Sequence, residues 1–302
     1  MANNRTLMVQ ALVTNGISVG GMSQLEFNTT FRGRSTSAQD DVAVGAEDDD
    51  ASGQRTTVTC GCTDITKVMS ILAATPGATT FATREANAST FRTGSISSII
   101  WNGMTVAITK EGHATLRLDG VLRYPNSTDS IDDLLTLSAG QSAPTRTTPV
   151  TLLRPHNASF DPDGADPAIA PVHVESINLR MSAQTEEDYG DDDVGMTSVD
   201  RLPFGPLEGT IVHKDASLDT GVDKAAQLLN AVKGVMTVDM RGTGGRAQQT
   251  LTINNLKFRS RREAKGPRHT MYTQDFVAAW TKRGSPDVNY TLTGGTPLFS
   301  FA

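Results

Sequence analysis

The sequence predicts a mainly β protein: two tandem copies of a β-sandwich or partial barrel, with one helix in each. Three observations predict it. Threonine occupies 39 of the 302 positions, and β-branched residues favour strands, whereas segments with an apolar period of 3.6 are few. Gly94 to Tyr124 reads as strand, polar turn, strand, with Ile96, Ile99, Ile100, Met104, Val106 and Ile108 leading into Lys110-Glu111-Gly112 and Leu116, Leu118, Val121 and Leu122 following. A charged, glycine-containing turn between two β-rich runs is a hairpin signal. Residues 250–280 then echo it, with Ile253 in the place of Ile100, the turn at Lys265-Gly266-Pro267, and Trp280 where the first hairpin ends in Tyr124.

The first half is taken as residues 1–124. Residues 1–17, with Leu7, Met8, Val9, Leu12 and Val13, suit an edge strand or an extended arm. Leu25, Phe27, Thr29 and Phe31 alternate as a half-buried strand does. Gln39 to Gly53 is an acidic loop, and Arg55 to Cys62 a second strand. Thr63 is placed to cap a helix, Asp64 suits its positive end, and Ile65, Val68, Met69 and Leu72 form its apolar face until Pro76-Gly77. Ala78 to Ala86 is a short strand, and the Gly94–Tyr124 hairpin closes the half.

Residues 171–283 repeat that order. Pro171 to Thr185 is a strand with Ile177, Leu179 and Met181 on one face, followed by an acidic loop from Glu186 to Asp193. Leu207 to Lys214 is a strand. Ser217 to Lys233 is a helix with Leu218, Val222, Ala225, Leu228, Leu229 and Val232 inward, capped by Gly234. Val235 to Met240 is a strand before the second hairpin. The helices begin 154 residues apart, at Asp64 and Leu218, and the hairpin isoleucines 100 and 253 are 153 apart, which supports an internal duplication. Residues 125–170 carry six prolines and read as a linker or inserted segment, with Asn157 to Ala170 a loop. Residues 284–302 form a C-terminal arm whose Tyr290, Leu292, Leu298, Phe299 and Phe301 suit pairing onto a sheet, its own or a neighbour's.

Composition narrows the chemistry. No apolar run is long enough to span a bilayer, and the first residues lack a basic region followed by an apolar block, so neither a membrane partner nor a signal peptide is expected. A net charge of −6 disfavours general nucleic-acid binding. Cys60-Gly61-Cys62 is too tight for an unstrained disulfide and has no other cysteine with which to hold zinc; it reads as reduced thiols alternating along a strand. The acidic loops lack the ligand spacing of a helix-loop-helix calcium site; Asp161-Pro162-Asp163-Gly164-Ala165-Asp166 comes nearer but has no closing glutamate, so solvated loops are the expectation. His113, His156, His173, His213 and His269 are dispersed, and the matching places of His113 and His269 suggest a shared structural position. No nucleophile, phosphate-loop or dinucleotide motif is present, so no catalytic, cofactor-binding or metal residue is assigned and no enzyme is expected. Arg259-Ser260-Arg261-Arg262 is the one basic patch, suited to carboxylates on a neighbouring chain or to solvent before nucleic acid.

This order of elements resembles the tail-tube fold of tailed bacteriophages, shared by tube, hub and distal-tail proteins. The resemblance is carried by Leu25 to Phe31, Val58 to Leu72 and Gly94 to Tyr124, and by His173 to Met181, Gly209 to Leu229 and Thr250 to Trp280. It implies a structural virion protein, assembled in the host cytoplasm. A duplicated chain would form homotrimeric, pseudo-sixfold rings that stack on themselves and on other tail proteins into a conduit for genomic DNA. Loops such as 39–53 and 186–195 would reach the next ring. DNA would pass without specific binding, through a lumen expected to be richer in Asp and Glu than in Arg. The 125–170 segment departs from the simplest pattern, so a tail hub, an adaptor or a head-decoration protein stays open beside the tube subunit, as does an enzyme with a dispersed site.

Overall fold

The computed structural model describes residues 7–30, 34–36, 46–48, 54–85, 89–96, 98–129, 137–141, 152–161, 174–188, 194–214, 234–242, 249–265, 270–278 and 299–301. They form a mainly β protein. A first series comprises β1 (Leu7–Thr14), β2 (Ile17–Val19), β3 (Met22–Thr30), β4 (Arg34–Thr36), β5 (Ala46–Asp48) and β6 (Arg55–Cys62), then a 3-10 turn (Ile65–Lys67) running into α1 (Val68–Ala73). It continues with β7 (Thr79–Glu85), β8 (Phe91–Ile96), β9 (Ser98–Thr109), β10 (Thr115–Arg123) and β11 (Leu137–Gln141). A second series comprises β12 (Leu153–Asp161), β13 (Val174–Ser182), β14 (Thr185–Asp188), β15 (Ser198–Arg201), β16 (Leu207–His213), β17 (Gly234–Gly242), β18 (Gln249–Lys265), β19 (Thr270–Ala278) and β20 (Phe299–Phe301).

Period-two burial builds the central layer. Along β6, Thr56, Val58, Cys60 and Cys62 point inward while the residues between them are half-exposed; along β13 the inward set is Val174, Ile177, Leu179 and Met181. Antiparallel pairing runs β3-β6-β10-β9-β13-β16-β19-β18, and β18 continues into β17 and β12. A five-stranded sheet, β11-β8-β7-β1-β2, covers the inward face of the first half. The two layers are tied by Phe27 against Phe81 (centroids 6.0 Å apart) and by the Trp101 indole N–H donating to Thr14 Oγ1 at 2.8 Å.

Both series use the same pairings. In the first, β1 pairs β7, β7 pairs β8 and β8 pairs β11; in the second, β12 pairs β17, β17 pairs the first part of β18, and that part pairs β20. In the first, β3-β6-β10-β9 lie side by side; in the second, β13-β16-β19 and the last part of β18 do. β18 thus does in one strand what β8 and β9 do in two: Leu256 is opposite Gly234 on one side and Ala278 on the other, so β17 holds the first part and β19 the last. Register breaks recur at matching points: between Met22 and Gln24 and between Val174 and Ser176; between Val9 and Ala11 and between Pro155 and Asn157; and opposite Asp119-Gly120 and Asp275-Phe276, where Asn102 and Arg259 are the extra residues. The short hairpins β4–β5 and β14–β15 interrupt the chain at the same point of each series.

Several local expectations change. Gly94 to Ile96 belongs to β8, and the hairpin proper starts at Ser98. By register, the counterpart of Ile253 is Ile96, each facing the first inward side chain of its neighbour, Met236 of β17 or Thr79 of β7, and not Ile100. Thr63 does not cap the helix; its hydroxyl donates to the Gly21 carbonyl while Asp64 accepts from Thr66. Residues 1–17 hold β1 inside a sheet, between β2 and β7. The 125–170 segment contributes two paired strands, β11 and β12, so Asn157 to Asp161 is not loop. β20 pairs with the chain's own β18. The predicted helix at 217–233 and Trp280 lie outside the described residues.

Candidate assembly interface

The two series meet at one strand pair. β9 and β13 run antiparallel from Gly103↔Ser182 to Thr109↔Ser176. Alternation puts Met104, Val106 and Ile108 of β9 and Ile177, Leu179 and Met181 of β13 on one face, all buried, so the two halves share a single hydrophobic core. A one-residue slip of either strand would turn its own three out of the core. One end of the seam is pinned by Glu175, which accepts from Lys110 Nζ at 3.1 Å and from Lys214 Nζ at 2.8 Å. Burial pushes the Glu175 carboxyl up, but the two ammonium partners outweigh it and hold it below the ordinary glutamate value.

A second contact crosses the seam. Residues 185–188 and 194–201 of the second series lie on the first. Gln54 N–H donates to Val194 O at 2.7 Å, Val194 N–H to Ser127 O at 2.6 Å and Tyr124 N–H to Met196 O at 2.8 Å. Met196 and Val199 pack on Ile100 and Val121 as a small cluster of their own. Arg55 clamps Glu187 through Nε at 2.7 Å and Nη2 at 2.9 Å, and Arg201 Nη1 donates to the Trp101 carbonyl at 2.9 Å. Burial raises the Glu187 carboxyl; hydrogen bonds from Arg55 and Thr185 outweigh it and leave it below the ordinary value. The hydrogen bond to Glu187 raises the Arg55 guanidinium, so the pair stays charged.

Among the described residues the central sheet has open edges at β12, which pairs only with β17, and at two further places. β3 pairs only with β6, and β18 beyond Leu256 pairs only with β19. Open edges carry unpaired backbone donors and acceptors and template further strands. The outward face between them is rich in Thr, Ser and Asn. Its charges are mixed: Glu26, Asp119, Glu208 and Asp275 against Arg117, Arg180, Lys257, Arg259 and Arg262. The acid-rich surface expected for a lumen is therefore not matched by this face, where the signs nearly balance. Asp119 and Asp275 occupy matching positions, and each accepts from a threonine on the adjacent strand, Thr59 at 3.2 Å and Thr210 at 2.8 Å. Asp275 is also bound by Ser260 and Arg262, which, with the serine bond the leading cause, hold it below the ordinary aspartate value. On this face an open groove of about 420 Å³ runs between Arg180, Glu208, Arg259 and Val277.

The residues weighed for chemistry stay apart. His213 is buried in β16, stacked on Tyr272; His156 lies in β12 and His113 just before β10. His173 and His269 lie outside the described residues, as do most of the acidic loop 39–53, Asp191 to Asp193 and the stretch after Asp161. Among the described residues no group of three metal-ligating side chains converges. Cys60 and Cys62 both face the core, because Gly61 between them takes the outward face. Their mutual hydrogen bond and burial push the Cys60 thiol well above its ordinary value, away from reactivity. No described helix is long and apolar enough to cross a membrane. The Arg55–Glu187 clamp and the Met196–Val199 contact were not visible in the sequence: Glu187 read only as one acid among six, and nothing local ties it to Arg55. Comparison with known proteins finds no family model that matches this chain and no match among curated proteins.

Proposed function

We propose that this chain is a self-assembling structural subunit of a virion tail, two tandem tail-tube-like domains whose trimers form pseudo-sixfold rings that stack into a DNA conduit. The observation that carries the reading is the recurrence of one pairing scheme, with register breaks at matching points, in a central sheet whose two ends are open among the described residues. Such recurrence supports a duplicated domain, with the second unit beginning at β12. Open edges at both ends of one sheet favour closure with further copies, which removes the edges. On this reading the outward face lines the lumen. Its hydroxyls and near-balanced charges offer no large excess of cations to grip phosphate, so DNA would slide.

Electron microscopy of the purified chain tests this across a concentration series. Rings of three chains with a wide pore, alone or stacked, are expected. A monodisperse monomer at every concentration overturns the reading; a trimer that never stacks favours a hub or adaptor.

A further inference from the structure

Within the chain, the seam has two parts. The strand pair β9–β13 joins the sheets, and the segment after β13 folds back over the outward face of β9 and β10, where Met196 and Val199 cover Ile100 and Val121. Matching the register breaks at Asn102 and Arg259 places Lys257 and Val277 where Ile100 and Val121 stand. In the second half this place is the open groove beside Arg180 and Arg259. Neither arginine has an ion-pair partner among the described residues. The segment after β3, in the position matching the one after β13, carries Asp40, Asp41, Glu47, Asp48, Asp49 and Asp50.

We infer that the groove at Arg180, Arg259 and Val277 receives the acidic Thr30–Asp50 segment of a second copy, whose β3 pairs with the open edge of β18 in the register that the β9–β13 seam sets. The inference rests on the assembly reading above and adds its contact surface, partner segment and register. Transferring Ala107↔Asn178 through the matched breaks puts Ala264 of one chain opposite Glu26 of the next. The junction is head-to-tail, so each copy offers one edge of each kind and a closed ring leaves neither the β3 edge nor the β18 edge over. Glu208 and Asp275 also line the groove, but neither forms an ion pair with Arg180 or Arg259 among the described residues, so the segment brings carboxylates to two arginines, as Glu187 is brought to Arg55 inside the chain. One difference weakens the junction between chains. Ser23 stands where Glu175 pins the internal seam, so no pair of lysines is bridged there.

A mixing experiment tests the register. A Glu26→Cys chain and an Ala264→Cys chain are prepared separately, both residues being exposed and the native Cys60 and Cys62 buried. After mixing, a short bis-maleimide is expected to link the two into dimers, while neither chain links to itself. A Thr30→Cys chain mixed with Ala264→Cys, four residues out of register, should link at least tenfold less. An Arg180→Glu/Arg259→Glu chain, checked for an unchanged melting temperature, should need about tenfold more protein to assemble, a shift of about 1.4 kcal/mol. If light scattering shows assembly but the Glu26–Ala264 link is absent, or Glu26→Cys links to itself, the inference fails and the assembly reading stands. If the unmodified chain never assembles, both fail. If the charge-reversed chain assembles like the parent, the groove is not where the segment binds.

Discussion

Gly195→Ala perturbs the segment that crosses the seam without touching either sheet. A Cβ built at Gly195 would lie 2.5 Å from Tyr124 Cδ1 and Cγ and 2.9 Å from the Asp129 carbonyl. Tyr124 is fully buried and its hydroxyl is held by Thr56 at 2.7 Å, so the ring has little freedom to retreat. Overpacking of this kind costs about 1–3 kcal/mol. The segment is held by more than that: Met196 and Val199, 1% and 3% exposed, at roughly 1.5–3 kcal/mol each when buried, with backbone bonds at about 1 kcal/mol apiece. The segment therefore strains and loosens without leaving. The expected result is faster hydrogen exchange at the Gln54 and Tyr124 amides, by about tenfold or more, with exchange in β17 and β18 unchanged. Undiminished protection of those two amides would refute the steric reasoning; a uniform loss throughout the protein would refute the claim that the segment responds locally.

Two further outcomes follow from the same structure. Glu175, Glu187 and Asp275 are all held below their ordinary values, so the stability they contribute is complete above the ordinary carboxylate range and is lost as pH falls through their lowered folded values. Because Arg55 is 42% exposed, the clamp is screened, and Glu187→Gln should remove only about 0.2–1 kcal/mol at neutral pH while flattening the acid limb of a pH–melting curve; a curve parallel to the parent's contradicts the assignment. Gly209→Ala would place a Cβ 2.1 Å from the ring of Phe276 directly opposite it on β19, and should lower stability by about 1–3 kcal/mol in denaturant titration; no loss would mean the ring is free to turn aside.

What the sequence reveals depends on whether the signal is local. The strand at Arg55 to Cys62 is legible because its alternation is complete, and the first helix because Ile65, Val68, Met69 and Leu72 keep helical spacing; both stand where the pattern puts them. The hairpin turn at Lys110-Glu111-Gly112 is legible from its composition. Pro155 and the glycines and prolines after it disguise β12, whose pairing with β17 is set by partners 74 to 89 residues away, from Asp161↔Val235 to Leu153↔Gly242. The mismatch between Ile100 and Ile253 has a physical cause as well. Connections of unequal length shift the spacing between matched positions, from 152 residues for Ser23 and Glu175 to 157 for Asn102 and Arg259, so counting along the chain drifts while hydrogen-bond register does not. The contact surface was the least legible part. Its groove is assembled from β9, β13, β16, β18 and β19, and of its charged residues the sequence singles out only Arg259.

β18 gives the molecule a mechanical property. Its 17 residues run as one strand through two roles, the first part gripped on both sides by β17 and β20, the last part forming an open edge beside β19. At about 3.3 Å per residue such a strand is a tie rod roughly 55 Å long. Tension on the open edge is carried along the strand axis into hydrogen bonds loaded side by side, which must yield together, and not one after another as when a strand is peeled from its end. A pull on the rim of this protein is thereby anchored in its core, without a loop in between to give way first.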